Sequence, residues 1–125
     1  MFIREAKWVE IKNIYCANPQ EDGVLGIGGG DELVIRANPD DRGWKVIWQG
    51  QIKKGDYFTI EGAKFHIEHN LKIHIEELDL LSSNDEIGKY ISISSTEITG
   101  TGCKVIEERS NYMYFLFYSS TVIET

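Results

Sequence analysis

At 125 residues, with 42% hydrophobic and 26% charged content, the chain has the makeup of one globular domain, residues 1–125, with a buried core. No apolar run approaches the roughly 18–20 residues of a membrane-spanning helix, and Met1-Phe-Ile-Arg-Glu-Ala-Lys7 lacks the apolar stretch of a secretory signal, so a cytoplasmic location is expected. A net charge of −7 argues against nucleic acid as a partner, because phosphate binding needs a basic surface.

No segment carries a convincing helical period. Short alternating runs rich in β-branched and aromatic residues recur instead. They predict strands near Lys7–Cys16, Glu32–Ala37, Trp44–Trp48, Tyr57–Glu61, Lys64–Glu68, Leu71–Leu78, Gly88–Ser94, Val105–Glu107 and Tyr112–Tyr118. Turn signals separate them: Asn18-Pro19, the glycines 26 to 30, Asn38-Pro-Asp-Asp-Arg-Gly43, Lys54-Gly-Asp56, Glu61-Gly62, Asn84-Asp85, Gly100-Thr-Gly102 and Ser110-Asn111. Both prolines fall at such breaks, where a missing N–H does no harm. Strands at this spacing predict an antiparallel β-sandwich. Alternation nominates Trp8, Ile11, Val34, Trp44, Val46, Trp48, Ile73, Ile75, Ile91, Ile93, Tyr114 and Leu116, among others, for its core.

One stretch stands out: Glu77-Leu-Asp-Leu-Leu-Ser-Ser-Asn-Asp-Glu-Ile-Gly88. It follows Leu71-Lys-Ile-His-Ile-Glu, in which Leu71, Ile73 and Ile75 share a face. Glu77 and Asp79 keep that parity as the chain leaves the sheet, and Asp85 returns six residues later. Three carboxylates on one loop repel each other unless a cation lies between them. A hard cation with oxygen ligands, Ca²⁺ above all, is the expected answer.

At these residues the sequence resembles a C2 domain, a β-sandwich module that holds Ca²⁺ between loops at one end. The spacing acid-x-acid-x5-Asp, then apolar-Gly, is that of the family's third calcium loop. The departure is Glu77 where the family has Asp, a longer arm that alters geometry. Asp31, followed by Glu-Leu-Val34, falls where the family's first loop closes with an aspartate. Asp22 or Glu21 is the further ligand candidate of that loop, although the distance from Asp22 to Asp31 exceeds the family's usual spacing. Cys16, Gly30-Asp-Glu-Leu-Val34, Trp48 and Lys54-Gly-Asp56 add to the likeness, which covers about residues 7 to 94. The resemblance implies an all-β, antiparallel, eight-stranded C2-like sandwich. It also implies Ca²⁺ held by Asp22, Asp31, Glu77, Asp79 and Asp85.

Apolar residues ride on the same two loops: Val24, Leu25 and Ile27 on the first, Leu80 and Leu81 on the second. In C2 domains such residues enter the lipid interface once Ca²⁺ cancels local negative charge. Here they are expected either to dock a phospholipid membrane or a protein partner, or to pack beneath the loops. The expected function is therefore a calcium-binding, non-enzymatic module that docks onto a membrane surface, as a peripheral protein, or onto a protein partner. The alternative is a metal-free interaction domain, adaptor or adhesion subunit, with a surface patch near Tyr112–Tyr118.

Other chemistries find little support. Gly26-Ile-Gly28 does not complete Gly-x-Gly-x-x-Gly, Gly88-Lys89 lacks the Ser or Thr of a P-loop, and residues 38–43 lack the ligands of an EF-hand. His66, His69 and His74 match no zinc or cupin spacing and read as structural, with His66 and His74 expected on adjacent strands. Cys16 and Cys103 read as buried or idle thiols, with a disulfide left open. Lys53, Lys54, Lys64 and Lys72 read as scattered solubilising charge.

Overall fold

The computed structural model describes residues 6–19, 30–77, 85–97, 99–108 and 112–123; for 85–90 and 108 it describes the backbone alone. The described residues form nine strands and no helix: β1 (Lys7–Asn18), β2 (Asp31–Pro39), β3 (Lys45–Ile52), β4 (Tyr57–Thr59), β5 (Lys64–Ile67), β6 (Asn70–Glu77), β7 (Asp85–Ser94), β8 (Gly100–Glu108) and β9 (Tyr112–Val122). They make two antiparallel sheets. The first runs β4-β1-β9-β8, with β5 also paired to β1, and the second runs β3-β2-β6-β7.

These nine strands answer the nine alternating runs of the sequence, one more than the eight that the resemblance implies, because the partner of one edge of β1 is split. β4 pairs with Asn13–Tyr15 and β5 with Lys7–Glu10. Between them Gly62, at φ 74°, takes a left-handed turn that a side chain disfavours.

Alternation builds the core. Leu71, Ile73 and Ile75 of β6 face Ile14, Tyr114 and Leu116 of the first sheet's strands across the sandwich, and all are buried. A bulge between Ile11 and Asn13 shifts the parity of β1. Val9 and Ile11 therefore point inward before it, and Ile14 and Cys16 after it.

Three expected core residues lie outside. Trp8, Trp44 and Val46 are 37%, 44% and 47% exposed. Trp8 alternates with inward Val9, so its ring covers the outer face, with the Lys64 ammonium 5.2 Å from its centroid. Val46 pairs with Arg36 on the edge strand β3, again facing out. His66 and His74 sit in different sheets, each against a tryptophan: His66 with Trp8, and His74 with Trp44. Cys16 is buried and Cys103 exposed, both as free thiols.

Candidate functional site

Antiparallel pairing brings the start of β2, the end of β6 and the start of β7 to one end of the second sheet. Leu33 pairs with Glu77, and Glu77 with Asp85. Asp31 lies two residues before Leu33 and shares its inward parity. Asp31 and Glu77 are thus diagonal neighbours, about 7 Å apart by ordinary sheet spacing. Both are buried, at 0% and 3% exposure.

Two carboxylates at that depth need hydrogen-bonding partners. The Tyr114 hydroxyl, from β9 in the facing sheet, donates to Oδ2 of Asp31. Burial, and then the Asp31 carboxylate, hold the Tyr114 phenol well above the usual tyrosine range. This contact ties the two sheets together at the loop end. The signal for it was the inward parity of Tyr114, although the sequence did not say which polar group its hydroxyl would meet.

Two further features shape this end. Gly30 has φ 122°, and a Cβ there would stand 2.6 Å from the Ile52 carbonyl oxygen, so only glycine lets the chain approach β3 so closely. The Lys53–Asp56 turn is stapled to β1: Gly55 N–H donates to the Cys16 carbonyl at 2.7 Å, and Cys16 N–H to the Asp56 carbonyl at 3.0 Å. The Asp56 carboxylate accepts from the Lys53 amide at 2.8 Å, closing the turn.

Of the proposed ligands, then, Asp31 and Glu77 meet at one end of the sheet, and the Asp85 backbone joins them. Asp22 and Asp79 lie outside the described residues, as do Val24, Leu25, Ile27, Leu80 and Leu81. Among the described residues no three His, Cys, Asp or Glu side chains group as metal ligands. No helix among them is long and apolar enough to cross a membrane.

A second surface forms on the outer face of the first sheet. Tyr57 pairs with Tyr15, Tyr15 with Phe115, and Phe115 with Val105, one row across four strands. Tyr15 and Phe115 have ring centroids 6.0 Å apart, and Tyr57 and Phe117 6.4 Å. Tyr57 and Val105 are more than half exposed. The expected patch at Tyr112–Tyr118 resolves by parity: Phe115 and Phe117 face outward, whereas Tyr112, Tyr114 and Leu116 are core.

This architecture defines the molecule as an all-β, C2-type sandwich. No protein-family model matches the sequence, and no curated protein matches it. Among solved structures, a C2 domain of plant extended synaptotagmin 1 is similar over 100% of this chain and 98% of its own, with TM-score 0.58 and 12% identity. Human GIVD cytosolic phospholipase A2, solved with methyl gamma-linolenyl fluorophosphonate, is similar over 96% of this chain but 17% of its own length, with TM-score 0.51 and 13% identity. A second structure of that phospholipase, which also contains terbium chloride, gives TM-score 0.52 at 12% identity, over 97% of this chain and 18% of the other. At these identities the likeness is one of fold.

Proposed function

We propose that the chain is a calcium-dependent, non-catalytic docking module that uses the end of the sandwich carrying Asp31, Glu77 and Asp85. The observation that carries this reading is the strand register, which brings those three acidic positions to adjoining strand ends. The donor set fits a hard cation: carboxylates at neighbouring positions, two of them buried, where negative charge needs compensation. Asp22 and Asp79, which lie outside the described residues, would complete the ligand set.

When bound, Ca²⁺ supplies positive charge at this end. The chain's own residues do the rest. Without compensation, clustered carboxylates repel one another and an anionic surface, as does the net charge of −7. With compensation, Val24, Leu25, Ile27, Leu80 and Leu81 can approach an apolar phase without that repulsion. A phospholipid surface is the partner this layout suits best.

The melting temperature measured in excess EDTA, then across a Ca²⁺ series with Mg²⁺ as control, tests the reading. A ligand that binds only the folded chain raises stability by about 2.7 kcal/mol at one hundred times its dissociation constant. A Ca²⁺-specific rise is expected, and it is expected to vanish in Asp79→Asn combined with Asp85→Asn. No shift at several millimolar Ca²⁺ favours the alternative, a metal-free interaction domain. The outward row of Tyr57, Tyr15, Phe115 and Val105 is the observation that supports that alternative.

A further inference from the structure

At the opposite end of the second sheet, on its outer face, an open cavity of about 340 Å³ is lined by Asn38, Asp41, Trp44, Lys72 and Ser92. That volume lies within the range of roughly 300–1,000 Å³ typical of small-molecule sites. Its floor is a single cross-strand row: Asn38 pairs with Lys72, and Lys72 with Ser92. Trp44 keeps the parity of Val46, which pairs with Arg36, so the indole stands on the same face as a wall. It is 44% exposed, and His74 braces it edge-on at 6.1 Å between centroids.

Asp41 closes the row. Its Oδ1 is 2.7 Å from the Lys72 ammonium. It sits in a turn where Asp40 and Asp41 have φ of 48° and 57°, the left-handed region that side chains other than glycine, asparagine and aspartate avoid. Asp40 is held there because its carboxylate accepts from the Glu68, His69 and Asn70 amides at 2.8, 2.8 and 3.0 Å. Asp41 is carried along with it, and the result is a carboxylate set on the cavity's lip. Gly43 N–H donates to Asn38 Oδ1 at 2.9 Å, which fixes the amide and gives its Nδ2 the role of donor.

The chemistry of the lining selects a ligand class. Lys72 and Asp41 cancel, +1 and −1, and the other three residues are neutral. A phosphate would meet the Asp41 carboxylate, and a cationic ligand the Lys72 ammonium. A purely apolar ligand would strand an amide, a hydroxyl and an ion pair. A neutral polyhydroxyl ring satisfies the whole set. Its C–H face lies on the Trp44 indole, and its hydroxyls donate to Asp41 and Ser92 and accept from Lys72 and Asn38. We infer that this cavity binds one ring of a neutral saccharide, at a site separate from the acidic end and independent of calcium.

The test follows the tryptophan indole N–H signals of the intact chain by nuclear magnetic resonance while glucose, galactose, mannose or N-acetylglucosamine is added to about 50 mM, a range suited to the weak affinity of a single ring. Inorganic phosphate serves as the charged control. The Trp44 signal, assigned by its loss in Trp44→Phe, shifts saturably with at least one sugar, while Trp8 and Trp48 stay still. Ser92→Ala weakens that affinity by roughly threefold or more, the worth of one hydrogen bond. In Trp44→Ala, whose unchanged remaining spectrum reports the fold, the sugar no longer moves the Lys72 amide. Three results overturn the inference: no sugar shifts Trp44 at the highest concentration, the Lys72 amide responds equally in Trp44→Ala, or phosphate is what saturates the site.

Discussion

Tyr114 shows how much one hydroxyl can decide. Its donation to Asp31 joins two residues 83 positions apart and compensates a fully buried carboxylate. Tyr114→Phe removes the donor and leaves Asp31 short of a bond, at a cost of about 1–3 kcal/mol; chemical denaturation at pH 7 measures it. The same residue predicts an alkaline limit. Its folded pKa is raised above its unfolded value of about 10, so its contribution is intact below that pH. Above it the unfolded chain releases a proton that the folded chain retains, and stability falls as pH rises. Between pH 10 and 11 the wild type loses up to about 1.4 kcal/mol per pH unit from this group. Tyr114→Phe flattens the slope, and an unchanged slope would contradict the assignment. The pairing was half legible in the sequence: the parity of Tyr114 marks it as inward, yet nothing local names Asp31 as its partner.

The turn between β2 and β3 shows competing effects within an element. Asp40 costs about 1–2 kcal/mol for its left-handed backbone, a strain that glycine relieves. Its carboxylate accepts three amides from residues 68–70, and bonds to a charged acceptor contribute about 1.5–3 kcal/mol each. The bonds outweigh the strain. Asp40→Gly is therefore expected to lower the thermal midpoint, not raise it; a rise would show that backbone strain dominates. Strand existence was readable throughout, because period-two alternation is a local property. The split of the β1 edge into β4 and β5 was foreshadowed by Glu61-Gly62. The outward placement of Trp8, Trp44 and Val46 was not, since an apolar side chain on an alternating strand carries no label for its face. The bulge after Ile11 and the edge position of β3 decided those positions instead.

For the whole molecule, both sheets contribute to one continuous core, and Tyr114 bridges them at one end. Unfolding is therefore expected to be a single cooperative step. Trp8 reports on the first sheet and Trp44 and Trp48 on the second, so fluorescence and far-ultraviolet circular dichroism should give coincident urea transitions. Two separated transitions would mean that the sheets fold apart. At this scale the sequence by itself determined the fold class, the strands and the acidic character of one connection. Those follow from alternation, turn residues and charge, which are properties of neighbours along the chain. Only the tertiary structure decided that Asp31 and Glu77 are buried side by side, that Tyr57, Tyr15, Phe115 and Val105 form one outward row, and that Asn38, Lys72 and Ser92 floor a cavity walled by Trp44. Each of these depends on which strands pair and in what register, and a shift of a single residue in any one strand would turn that strand's side chains to the opposite face.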